Sequence, residues 1–95
     1  MLLFEWDADK AKKNLKLHEV TFDEASTAFQ DSLSLTIYDP LHSQEEDRFV
    51  LIGNSSRNRI LVVVHTERGN NIRIISARNA NKNERNQYEE YAKRS

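Results

Sequence analysis

The sequence predicts a single α+β domain with the element order β-α-α-β-β-β-β-α, an antiparallel sheet with its helices packed on one face. Three observations carry that reading. Apolar residues recur at helical spacing as far as Phe29 and alternate with polar ones from Leu33 onward. Residues with N-cap chemistry stand before each helical stretch, at Asp7, Thr21 and Asn81. Turn residues divide the alternating region into short runs, the pattern of consecutive strands joined by hairpins.

Leu2 to Trp6 reads as a short first strand, and Asp7 caps a helix from about Ala8 to His18. Ala8, Ala11 and Leu15 form its narrow apolar stripe, with Lys10, Lys12, Lys13 and Lys16 mostly on the solvated side. Thr21-Phe22-Asp23-Glu24 has the form of a capping box, so a second helix begins there after a tight turn and ends at Asp31-Ser32. Leu33, Leu35 and Ile37 then alternate with Ser34, Thr36 and Tyr38 in a half-buried strand that Asp39-Pro40 breaks. Leu41 to Asp47 is polar and acidic and reads as a loop. Arg48 to Gly53 is the next strand, Asn54 to Asn58 a turn, and Arg59 to Glu67 a third strand. The last of these is apolar on both faces from Ile60 to Val64, which places it inside the sheet. Gly69-Asn70-Asn71 suits a hairpin turn, Ile72 to Arg78 is the final strand, and Asn81 to Glu84 caps a helix that carries Tyr88, Tyr91 and Ala92 along one side.

The 95 residues have room for one domain, 1–95, and one modest core. Without a cysteine, neither a disulfide framework nor a thiolate zinc site is available, and the composition suits a reducing compartment. His18, His42 and His65 do not stand at ligand spacing, so no metal and no other cofactor is expected. The longest apolar run, Ile60 to Val64, is far too short to span a membrane, and Met1-Leu2-Leu3-Phe4 lacks the form of a signal peptide. The expected location is the cytoplasm, with no membrane partner. The net charge of −1 conceals an asymmetry. Residues 1–47 hold 4 Lys against 11 Asp or Glu, a balance of −7, whereas residues 48–85 hold 8 Lys or Arg against 2 Glu, a balance of +6. That polarity suggests two partner surfaces, one of them for a polyanion; the plainer alternative is scattered solvated charge.

The chemistry-bearing residues concentrate on the strands and turns of the basic half: Arg48, Arg57, Arg59, His65, Glu67, Arg68, Arg73 and Arg78. Strict alternation puts Leu61, Val63, His65 and Glu67 on one face of their strand and Val62, Val64, Thr66 and Arg68 on the other. On the final strand it groups Arg73 with Ile75 and Ala77, and Arg78 with Ile72, Ile74 and Ser76. The helices must take the more apolar face, leaving the other for a ligand. Arginine suits a phosphodiester because its planar fork donates paired hydrogen bonds and keeps its charge. In RNA the 2′-hydroxyl can attack the adjacent phosphorus, so cleavage needs only a base, an acid and positive charge at the developing phosphorane, with no metal. His65 or Glu67 is the candidate base, Arg68 and Arg78 are the candidate stabilisers, and Arg48, Arg57, Arg59, Arg73 and Tyr88 are candidate RNA contacts. Tyr88 or Tyr91 offers stacking or a proton, or else packs the last helix. Glu67 has a second reading as the partner of Arg73 in a cross-strand ion pair.

Several spaced blocks closely resemble the BrnT toxin family: Phe4-Glu5-Trp6-Asp7 with Lys10-Ala11 and Asn14-Leu15, then Val20 to Ala25, Asp39-Pro40, Arg48-Phe49 with Ile52-Gly53, Leu61 to Arg68, and Ile72 to Arg78. The likeness runs in order from Phe4 to Tyr91. It implies a RelE-like fold, RNA cleavage that slows translation and growth, and neutralisation by a BrnA-type antitoxin through which the complex reaches operator DNA. By the same resemblance Arg78 matches a strand-ending arginine, and His65, Glu67 and Arg68 match a His-Thr-Glu-Arg block. The chain departs from the family in having Ala8 where a proline often follows the first Trp-Asp, and in a less basic final helix. The alternative function is a catalytically inactive binding module or a co-repressor subunit of the same kind of complex.

Overall fold

The computed structural model describes residues 2–94; Met1 and Ser95, the ends of the expected domain, lie outside the described residues. Each helix begins where a side chain takes up a backbone amide that the first turn leaves free. The Asp7 carboxylate accepts from the Asp9 amide at 3.3 Å and opens α1, Ala8–His18. The Thr21 hydroxyl accepts from the Glu24 amide at 3.0 Å and opens α2, Phe22–Thr27, which tightens into a 3₁₀ turn at Ala28–Gln30. Asn81 and Glu84 cap each other's backbone amides and open α3, Lys82–Lys93. These are the three starts expected from the sequence. Between α1 and α2, Glu19 adopts a left-handed φ of 58° and its amide closes on the Leu15 carbonyl, which reverses the chain.

The strands are β1 Leu3–Glu5, β2 Leu35–Asp39, β3 Arg48–Asn54, β4 Ile60–Arg68 and β5 Asn71–Asn79. They form one sheet in the order β1-β5-β4-β3-β2, with β4 at its centre as its doubly apolar sequence requires. From β2 to β5 all neighbours are antiparallel, as short connections demand. β1 is the exception: Leu3 to Glu5 pair in parallel with Asn71 to Arg73, so the sheet is mixed rather than wholly antiparallel.

A second correction concerns the helices. α1 and α2 cover one face, where Val20, Phe22 and Ala25 meet Leu61, Val63 and Ile74. α3 lies on the opposite face, its Tyr88 packed on Ile52, Val62 and Ala80. The reason is the apolar character of both faces at the sheet's centre: one helical layer buries Leu61 and Val63 but leaves Val62 and Ile52 in need of cover. The amide of Ala80 bonds the Ile60 carbonyl at 2.9 Å, holding the chain to the sheet just before it turns into α3.

Two buried polar side chains fasten the helical layer to the sheet. The Asn14 amide donates to the carbonyls of Val20 at 2.9 Å and Ala77 at 2.8 Å, and its oxygen accepts from the Ala77 amide at 3.0 Å. β1 pairs with β5 only at Asn71 to Arg73, so further along that edge the Asn14 side chain does what another strand would do. The second fastener is Glu24 of α2. Its carboxylate accepts from Ser55 Oγ at 2.7 Å and from Arg59 Nε at 2.9 Å, with Arg59 Nη2 on its other oxygen. Gly53 lets the 3₁₀ turn settle on β3, because a Cβ there would stand 2.9 Å from the Ala28 carbonyl oxygen.

The Glu24 contact makes stability depend on pH. Hydrogen bonds from Arg59 first, and then from Ser55, outweigh burial and hold the Glu24 carboxyl below its ordinary 4.5. A carboxyl depressed in the folded state stabilises the protein above its unfolded pKa, and that contribution is lost as the pH falls through the folded one. The thermal midpoint should therefore drop from about pH 5 downward. Glu24→Gln should cost about 2 kcal/mol at pH 7 and flatten the acid limb. Calorimetry between pH 3 and 7 checks it, and an acid limb of unchanged steepness in the variant would assign the effect to other carboxyls.

Candidate active site on the outer sheet face

The position of the functional side chains turns on one irregularity. β4 and β5 pair from Leu61↔Asn79 to Val64↔Ser76, and then His65 faces Ile74, so that Ile75 is an extra residue on β5. Unbroken alternation sets Arg73 and Arg78 on opposite faces; the bulge reverses the parity. Ile72, Ile74 and Ala77 all enter the core under α1 and α2, while Arg73, Ser76 and Arg78 share the outer face. The sequence shows no glycine or proline at this bulge, and strict alternation misassigned the strand for that reason.

Three rows of side chains cross the outer face. One reads Glu5, Arg73, Thr66, Arg48 and Asp39, from β1 to β2. The next reads Ser76, Val64, Val50 and Ile37, and the third reads Arg78, Val62, Ile52 and Leu35. α3 covers the third row and leaves the middle row half-buried to exposed. Successive rows are two residues apart, so Arg73 and Arg78 stand roughly 14 Å from one another along the strand.

Arg68 joins the charged row from the end of β4. Its Nε and Nη2 donate to the two oxygens of Glu46 at 2.8 and 2.9 Å, and its Nη1 lies 4.0 Å from Glu5. Arg78 makes the corresponding two-pronged contact with Glu84, at 2.7 Å for both bonds, and remains 42% exposed. Thr66, between Arg48 and Arg73, is buried, and its hydroxyl has no hydrogen-bond partner.

The remaining expected site residues lie elsewhere. His65 is on the opposite face, 1% exposed, with its ring 4.8 Å edge-on from Phe29 and 5.9 Å from Phe49 in a stack. Burial pushes it below its ordinary 6.5, so it is neutral at pH 7. Glu67 is exposed and registers with Ile72, whereas the residue across from Arg73 is Thr66; the expected cross-strand pair of Glu67 with Arg73 does not form. Arg59 is spent on Glu24, and Arg57 reaches the same carboxylate at 4.0 Å while staying exposed. Tyr88 donates its hydroxyl proton to Asp31 at 2.6 Å; burial first, and the Asp31 carboxylate second, push the phenol up to about 12. It packs α3 on the sheet. Tyr91 lines a groove with Leu35 and Ile37. The outer face thus gathers Arg48, Arg68, Arg73 and Arg78, and adds two residues that sequence reasoning did not single out, Thr66 and Glu46. The acidic loop was legible as acidic, but nothing local to it shows which arginine it meets.

Among the described residues no three His, Asp or Glu side chains converge as a metal site, and no helix is long and apolar enough to cross a membrane. Residues 6–84 match the model of a family described as the ribonuclease toxin BrnT of type II toxin–antitoxin systems. The chain belongs to the BrnT family. As a BrnT toxin it is a ribonuclease toxin of a type II system, whose counterpart is a protein antitoxin. The BrnT match includes Arg48, Thr66, Arg68, Arg73, Arg78 and Glu84, and stops short of Tyr88. The crystal structure of the Brucella abortus ribonuclease toxin BrnT resembles it with a TM-score of 0.63 and 21% identity, over 86% of this chain and 100% of that one. That likeness establishes a shared BrnT fold. Among curated proteins none matches in sequence.

Proposed function

We propose that this toxin cuts RNA on the outer sheet face without a metal ion. Arg48, Arg68 and Arg73 hold the phosphodiester. The RNA's own 2′-hydroxyl gives its proton to water and attacks the phosphorus, and guanidinium charge stabilises the phosphorane on the way. The bond to the 5′-oxygen breaks, that oxygen takes a proton from water and leaves as a hydroxyl, and a 2′,3′-cyclic phosphate remains. Arg78 takes a second phosphate along the strand, with the middle row of Val50, Val64 and Ser76 as the floor between them. The observation that supports this reading is the bulge at Ile75, which sets Arg73 and Arg78 on one face with Arg48. His65, sealed between Phe29 and Phe49, serves by packing β4 and takes no proton from substrate. The protein acts in the cytoplasm. A BrnA-type antitoxin silences it by covering this face, and the pair contacts operator DNA only through the antitoxin.

A second reading, an inactive binding module or co-repressor subunit, draws on the engagement of Arg68 and Arg78 by carboxylates of their own chain. Inducing the chain alone in bacteria, beside an Arg78→Ala version and a strain that also carries the neighbouring gene, separates the two. The ribonuclease reading expects growth arrest and fragmented RNA, relief by the variant and by the neighbour, and cleavage by purified protein in EDTA. Intact RNA and normal growth with the wild type would leave the co-repressor reading standing.

A further inference from the structure

Thr66 is the one buried side chain among the described residues whose polar atom lacks a hydrogen-bond partner. An unsatisfied buried hydroxyl destabilises the fold by about 1 kcal/mol or more, so its place in the structure calls for a use. Its neighbours across the strands are Arg48 on one side and Arg73 on the other, on a face where Arg68 arrives from the next row. A hydroxyl donor between guanidinium groups is the donor set of a phosphate oxyanion. The carboxylate of Glu46, carried by the loop before β3, already sits on Arg68. The hydrogen bonds of Arg68 foremost, and then the charges of Arg68, Arg73 and Arg48, hold its carboxyl below the ordinary 4.5. Arg68 thus binds this oxyanion directly, and the charges of Arg73 and Arg48 favour it without contact. The direct contact is shallow, with Glu46 40% and Arg68 47% exposed, and the loop encloses an open cleft of about 320 Å³ lined by Leu41, His42, Gln44, Glu45, Glu46 and Arg48. An exposed ion pair of this kind is readily displaced.

The geometry points to a phosphate subsite formed by Arg48, Thr66, Arg68 and Arg73, in which Glu46 occupies the place of an RNA phosphate until substrate displaces it. This rests on the outer face being the RNA-binding face, and adds a specific donor and a built-in competitor to it. The Thr66 hydroxyl donates to a non-bridging phosphate oxygen, satisfied only in the complex. Glu46 withdraws with its loop as the phosphate enters.

Binding of a 2′-O-methyl oligoribonucleotide, which cannot be cut, tests both parts by fluorescence anisotropy. Thr66→Val keeps shape and removes the donor: it should bind about tenfold more weakly while its thermal midpoint stays or rises, and Thr66→Ser should restore binding. Glu46→Gln should bind about three- to fivefold more tightly, through relief of competition. Inorganic phosphate, read as a rise in thermal midpoint, should show the same order of variants. Wild-type affinity in Thr66→Val, or no tightening in Glu46→Gln, while the wild type binds and cuts RNA, would overturn the subsite and leave the ribonuclease reading intact. A wild type that neither binds nor cuts RNA, yet shows the Thr66- and Glu46-dependent response to inorganic phosphate, supports the subsite as a site for free phosphate and removes the ribonuclease reading instead.

Discussion

Replacing Asn14 with leucine is expected to remove about 3 kcal/mol or more of stability, because it takes the side-chain partner from two carbonyls and one amide, at about 1 kcal/mol each. Leucine keeps asparagine's branching but is bulkier, so the loss combines the missing hydrogen bonds with some overpacking at this buried position. The bonds to Val20 and Ala77 join the end of the α1–α2 turn and the edge of β5 to a single side chain, and all three lie out of water. A chain of this size has about 5–14 kcal/mol in total, so the variant should survive at low temperature and melt about 12–24 °C early. Asn14→Asp is the sharper probe. It preserves the acceptor for the Ala77 amide but replaces the donor to both carbonyls with a charge, and should fare worse than leucine at pH 7. Thermal unfolding followed by circular dichroism decides it; a shift under about 5 °C for both variants would mean that water replaces the asparagine and that the edge of β5 does not need it.

Arg73→Ala is expected to lower RNA cleavage by purified protein by about 10²- to 10³-fold, the scale on which removal of one preorganised charge from a transition state is felt. Its stability should change by no more than about 0.5 kcal/mol, because the side chain lies on a partly exposed face and not in the core. His65→Leu should do the opposite. Losing the ring contacts with Phe29 and Phe49 costs stability, whereas the folded fraction should cut RNA within a few-fold of wild type. Single-turnover cleavage at pH 7, corrected for the folded fraction, gives both numbers. Cleavage abolished in a folded His65→Leu protein would return the histidine to the reaction and make the outer face a binding surface only.

The separate fates of these two residues show what could be read in advance. His65 and the arginines stand within a few positions of one another in an apolar strand and its partner, and composition gives them equal standing. Register separates them. Because side chains alternate, a single extra residue at Ile75 moves Arg73 from the covered face to the face of Arg78, and the same alternation keeps His65 beneath the sheet. A bulge made by isoleucine leaves no compositional mark.

Caps and periods, by contrast, were determined by the sequence alone. Asp7, Thr21 and Asn81 bind amides two or three residues away, so the helix starts depend on nothing distant. The central position of β4 followed from its continuous apolar run, and the meander of β2 to β5 from short turns. Tertiary structure decided the rest. The parallel seat of β1 depends on pairing with a strand from the far end of the chain, and α3 took the second face because Ile52 and Val62 needed cover there. Glu46 met Arg68 only once the loop and the strand end were folded together. Local signals act within a turn of helix or a pair of strand residues; the choice of face and partner is made by burial and pairing between distant segments, and that choice turned scattered arginines into one charged row.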